Sequence, residues 1–127
     1  MSSEMNRIWN TQNPNQGEYL KVLCVCSAGL LRSPTMANVL HREFNFNTRA
    51  VGSVRSHALV PLEEVHVHWA DIIVVVDQDT SDFIKKEFES AAREKPIFNF
   101  DLPDRYEYMN HRLQSIIVEK AYEEGLV

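Results

Sequence analysis

Apolar residues recur along this chain in two rhythms. The runs KVLCV and IIVVV are continuous, as in strands buried on both faces. PTMANVLHREF, PLEEVHVHWA, TSDFIKKEFESAARE and HRLQSIIVEKAYEE instead space their apolar positions as amphipathic helices do. The pattern predicts strands over 19–25, 48–53, 71–77 and 96–100, and helices over 34–44, 61–70, 80–94 and within 111–124. Strand and helix alternate throughout. The expected fold is therefore α/β: a three-layer sandwich with a four-stranded parallel sheet flanked by helices. Residues 1–18 carry neither rhythm and are rich in Asn and Gln, which predicts a flexible N-terminal arm ahead of a single domain over 19–127.

Composition narrows the function. At 127 residues, 44% hydrophobic and 24% charged, the chain suits one domain with a core of its own. Thirteen basic against 18 acidic residues leave a net charge of −5, so no bulk nucleic-acid binding and no attachment to an anionic membrane is expected. Any anion site must be local. No apolar run reaches membrane-spanning length, and MSSEMNRIWNTQNPNQGEY has neither the basic nor the apolar region of a signal peptide, so a cytoplasmic location is expected. Cys24 and Cys26 stand one residue apart, too close to frame a disulfide-stapled domain.

The chemistry gathers in CSAGLLRSP, residues 26–34, at the carboxyl end of the first predicted strand, where open α/β sheets bind ligands. If the turn curls around a centre, the backbone of Ser27, Ala28, Gly29, Leu30 and Leu31 forms an anion nest, and the helix behind it adds the positive end of its dipole. Arg32 can close the ring with a bidentate clamp on two phosphate oxygens. Ser33 reads as an N-cap and Pro34 as the first helical residue. The same field favours the thiolate of Cys26, the nucleophilic form. The stretch is a nucleophile inside a phosphate cradle.

Cys-x5-Arg-Ser-Pro after a first strand resembles the low-molecular-weight protein tyrosine phosphatase family, over most of residues 20–110. ADIIVVVDQDTSDFI is similar to that family's third strand and the turn after it, and LPDRYEY to its late acid loop. The ending LPDRYEYM is most similar to a bacterial and phage group of predicted phosphatases. The resemblance implies Cys26 as nucleophile, Arg32 as phosphate clamp, Ser33 as the hydroxyl that steadies the thiolate, and Asp104 as proton donor. It implies a phosphorylated substrate, either a phosphotyrosine protein or a small phosphomonoester, with no cofactor and no metal. The order of parts supports this family over the tyrosine phosphatases whose acid precedes the cysteine, since residues 1–25 hold no Asp and six follow Cys26. Arsenate reductases of the same fold need further downstream cysteines, which this chain lacks. RNA polymerase tail phosphatases also carry Cys-x5-Arg-Ser, but match the acid loop less well.

Several positions depart from the family. Gly29 stands where an Asn commonly braces the loop, Leu31 replaces the second cysteine, and Arg105 follows Asp104 in place of Pro. Ser27 beside the nucleophile, with Arg55 and His57 in SVRSHALV, makes the expected substrate pocket more polar and basic, and Tyr106 and Tyr108 are left as ring walls. A phosphorylated metabolite, nucleotide or RNA end therefore stands beside phosphotyrosine as substrate. A catalytically weak phosphate-binding module is the reading from another class. Asp101 is the alternative acid, because Leu-Pro-Asp is also ordinary turn chemistry. For Cys24, Trp69 and Phe98 packing is the expectation, for Asp77 bracing a loop or a helix start, and for His66 and His68 surface or packing roles in place of a metal pair.

Overall fold

The structure, a computed structural model, describes residues 19–27 and 32–127. Each apolar run becomes a strand. β1 (Lys21–Cys26), β2 (Asn47–Gly52), β3 (Ile72–Val75) and β4 (Ile97–Asn99) form one parallel sheet in the order β2-β1-β3-β4. Lys21 pairs with Asn47 in the β1–β2 register and Val22 with Ile72 across β1–β3.

Strand side chains alternate between faces, so β1 feeds two cores. Val22, Cys24 and Cys26 enter one of them, against Met36, Val39 and Leu40 of α1 (Arg32–Phe44) and Leu113, Ile117 and Ala121 of α5 (His111–Glu123). Leu23 and Val25 enter the other, against Val67 of α2 (Glu64–Trp69), Ile84 of α3 (Gln78–Glu87) and Ala92 of α4 (Glu89–Ala92). Both faces are thus covered, which is why KVLCV and IIVVV carry no polar alternation. Among the described residues no helix is long and apolar enough to cross a membrane.

The strand ends shift by one or two residues from those expected, and three helix boundaries move for a visible reason. The helix expected over 80–94 breaks at Phe88 (φ −124, ψ 40), whose ring packs on the second core and meets Phe83 edge-on at 6.3 Å. The ring is partly buried against that core, and tertiary packing of this kind overrides local helix propensity. The helix expected over 61–70 starts only at Glu64, because the backbone on either side of Pro61 is drawn to Gly52: Gly52 donates to the Val60 carbonyl and Leu62 to that of Gly52. α1 starts at Arg32, so Ser33 lies inside the first turn and is not its N-cap. Pro34 is tolerated there because first-turn N–H groups have no intrahelical acceptor.

β2 and β4 lie on opposite sides of the β1–β3 pair, so the strand order reverses at β1 and β3. The crevice at their carboxyl ends is the ligand position of such a sheet. Cys26 ends β1 at that crevice.

Candidate active site

Cys26 closes β1 with 3% of its surface exposed. The segment after β2 is strapped beneath it, with the Ser53 N–H donating to the Cys26 carbonyl at 2.8 Å and the Val54 N–H to that of Ser27 at 2.9 Å. The Cys26 thiol donates to Ser33 Oγ at 3.2 Å, and the Ser33 hydroxyl donates to the Val51 carbonyl at 3.2 Å. Ser33 is fully buried, so this hydroxyl sees no bulk water. A hydroxyl rotates to suit its partners, so once the thiol proton leaves, the Ser33 O–H can turn from Val51 to the sulfur. The same buried oxygen serves both protonation states.

Arg32 is 5% exposed, yet its charge is not sealed off. Nη1 donates to the Leu102 carbonyl at 3.0 Å, and Nε lies 3.6 Å from Asp104 Oδ1. Asp104 is itself largely exposed, its side chain at 66%. Nη2 has no hydrogen-bond partner among the described residues. Arg32 therefore joins α1 to the loop after β4, across 70 residues of sequence.

That loop leaves the sheet at Phe100 and Leu102, whose N–H groups donate to Val75 and Val76. Of the two carboxylates weighed from sequence, Asp104 is the one in contact with Arg32. Asp101 turns back on β4 instead: its N–H donates to Asn99 Oδ1 at 2.8 Å and its Oδ1 accepts from Asn99 Nδ2 at 3.5 Å. Arg105, standing where the family has Pro, folds over its own neighbour, with the guanidinium 5.3 Å from the Tyr106 ring centroid and 3.2 Å from its hydroxyl. Tyr106 packs on the first core, and Tyr108 is half-buried, its phenol pushed up by burial.

The remaining expectations divide. Ala28, Gly29, Leu30 and Leu31, and the arm over 1–18, lie outside the described residues. Arg55 and His57 are both exposed, and Arg55 Nη1 stands 3.8 Å from Oε2 of Glu63, the residue that precedes α2. Asp77 caps α3, with Oδ1 accepting from the Thr80 N–H at 2.8 Å. His66 and His68 serve α2 separately: His66 Nδ1 accepts from the Glu63 N–H, and His68 pairs with Glu64. Burial pushes the Cys24 thiol up, and the neighbouring Cys26 adds to the shift, so Cys24 is core. Trp69 lies under the Arg49 guanidinium, 4.4 Å from the ring centroid. Sequence reasoning missed the Leu102 carbonyl, Thr35 and Gln114. A backbone carbonyl leaves no mark in a sequence, and Thr35 reads there as one more residue of a helix face.

No family model and no curated protein matches the sequence. Solved structures do match the fold. The YwlE arginine phosphatase from Geobacillus stearothermophilus superposes with a TM-score of 0.61 at 19% identity, over 84% of this chain and 96% of that one. The tyrosine phosphatase Wzb from Escherichia coli K30, in complex with phosphate, gives 0.62 at 13% identity, over 83% and 95%. A cysteine-to-serine mutant of YwlE with a phosphorylated active-site serine gives 0.60 at 16% identity, over 82% and 95%.

Proposed function

On the fold of the low-molecular-weight tyrosine phosphatases, which this chain has, we propose a cysteine-dependent phosphomonoester hydrolase working through a phosphocysteine intermediate. One observation carries the reading: Cys26, at the end of β1, bonds Ser33, and Arg32, the residue before Ser33, contacts Asp104, so two successive residues of one helical turn bring thiol and carboxylate into one site. A bare anion-binding site needs no thiol hydrogen-bonded to a buried hydroxyl. The phosphorylated active-site serine of the mutant neighbour supports covalent transfer at the corresponding position.

In the first step the Cys26 thiolate attacks phosphorus, a sulfur–phosphorus bond forms, and the bond to the leaving oxygen breaks as Asp104 gives that oxygen its proton. In the second, water attacks the phosphocysteine, Asp104 takes its proton back, and the thiolate and phosphate separate. The Ser33 hydroxyl stabilises the thiolate at the start and again as it leaves. Arg32 holds the charge on the equatorial oxygens. An anion on the guanidinium competes with Asp104 for Nε, which frees the carboxyl to turn toward the leaving group.

The neighbours act on different residues, arginine in one case and tyrosine in the other, so the fold leaves the substrate open. Arg55, His57, Tyr106 and Tyr108 are the proposed determinants. The 3.6 Å contact between Asp104 and Arg32 favours a second reading, in which the acid only closes over a bound phosphate and turnover is weak. Hydrolysis of 4-nitrophenyl phosphate with a chelator present, comparing the wild type with Cys26→Ser, separates the two. Turnover lost in the mutant establishes the thiol phosphatase, and a panel of phosphotyrosine, phosphoarginine and small phosphomonoesters then assigns the substrate. No turnover above the mutant, in a folded protein that binds vanadate, establishes the binding module.

A further inference from the structure

The loop that carries Asp104 is bounded by two non-glycine residues in the left-handed region, Asp101 at φ 51 and Met109 at φ 59. A methionine holds that conformation only where its surroundings determine it. At Met109 both backbone groups are held by side chains. Its N–H donates to Thr35 Oγ1 at 2.9 Å, and its carbonyl accepts from Gln114 Nε2 at 2.7 Å. Gln114 Oε1 in turn accepts from Arg42 Nη2 at 2.9 Å.

Thr35 and Arg42 both belong to α1, the helix that begins with Arg32 and Ser33. Thr35 is fully buried, so no water replaces its hydroxyl as acceptor. At the other end of the loop the Leu102 carbonyl accepts from Arg32. The segment from 102 to 109 is therefore pinned at both ends to the first turn of α1, with Asp104 between the pins. We infer that Thr35 is a positioning residue for the proton donor: its hydroxyl ties the acid loop to the helix that carries the phosphate clamp. The spacing of acid and anion is then set within one helical turn, from Arg32 to Thr35.

This inference rests on Asp104 as the general acid, and a leaving-group series tests the two together. A poor leaving group such as phenol needs the proton more than 4-nitrophenol does. Hydrolysis of the phosphocysteine is common to all substrates, so the readout is kcat/KM: Thr35→Val is expected to lower it for phenyl phosphate by about tenfold and for 4-nitrophenyl phosphate by less than about threefold, with inhibition by inorganic phosphate unchanged. Thr35→Ser keeps the acceptor and restores both rates. In an Asp104→Asn background, Thr35→Val adds no further loss. Equal losses across leaving groups, or a loss that persists beside Asp104→Asn, overturn the inference. If Asp104→Asn itself shows no leaving-group dependence, the acid assignment falls and this inference with it; dependence there but none in Thr35→Val overturns this inference alone. Should Thr35→Val not fold, Gln114→Met releases Met109 from the other side and carries the same expectation and the same refutation.

Discussion

Arg32→Lys keeps the charge and removes the fork. In the wild type one guanidinium reaches the Leu102 carbonyl through Nη1 at 3.0 Å, stands 3.6 Å from Asp104 through Nε, and leaves Nη2 with no hydrogen-bond partner among the described residues. Lysine carries its three donors on one nitrogen and cannot hold the carbonyl and the anion at once. One charge-assisted hydrogen bond is lost whichever way the ammonium turns. Such a bond is worth about 1.5–3 kcal/mol; where the bond lost is the one to the anion, that is roughly 10- to 150-fold in kcat/KM at about 1.4 kcal/mol per decade, and where it is the one to Leu102 the loss falls on stability. The assay is hydrolysis of 4-nitrophenyl phosphate with inhibition by inorganic phosphate and a thermal melt. An ammonium turned to the anion strands the Leu102 carbonyl, on a residue only 3% exposed, and lowers the melting temperature while phosphate inhibition survives. Turned to Leu102, it preserves the melt and weakens phosphate inhibition. A kcat/KM within about threefold of wild type, with melting and inhibition unchanged, refutes the reasoning that bidentate reach is what the position requires.

Two further predictions concern stability. Asp77→Ala removes the carboxylate that accepts from the Thr80 N–H and hydroxyl at 2.8 and 2.6 Å, and is expected to cost about 1 kcal/mol, or roughly 3–6 °C in melting temperature, with activity kept. A lost activity with an unchanged melt would place Asp77 in the chemistry instead. His66 is pushed below its ordinary value, chiefly by burial, with Arg49 acting in the same direction and Glu63 against it; its Nδ1 also accepts from the Glu63 N–H at 2.9 Å, which a protonated nitrogen cannot do. The unfolded chain therefore takes up the proton first: stability is full above the unfolded value of about 6.5 and falls as pH drops through it. Melts from about pH 7.5 down to 5 are expected to flatten in His66→Gln, and an identical slope in the mutant contradicts this assignment.

How far the site was legible follows from the range of each interaction. Cys26 and Ser33 are 7 residues apart on one strand–turn–helix unit, and a short segment of that kind declares its chemistry through residue type and spacing. The continuous runs of β1 and β3 declared burial on both faces in the same way. Even there one detail failed: Ser33 reads as a helix cap, and only the approach of β2, which places the Val51 carbonyl above it, turns its hydroxyl inward. Phe88 likewise sits in an unbroken helical pattern, and the second core breaks that helix by taking its ring.

The loop after β4 lies at the far end of this scale. The sequence favoured Asp104 by the resemblance of LPDRYEY and kept Asp101, three residues before it, as the alternative. The tertiary structure brings Asp104 to Arg32 through contacts spanning 70 residues at Leu102 and 74 at Met109. Those anchors are a backbone carbonyl and a backbone N–H, groups that nearly every residue possesses. The sequence by itself determined the alternating elements, the parallel sheet and the short spacing that brings Cys26 to Ser33, because periodicity and turn chemistry act over a few residues. Which carboxylate meets the arginine was decided only by packing α1 and α5 on one face of the sheet, since that packing chooses which of many identical backbone groups come within reach.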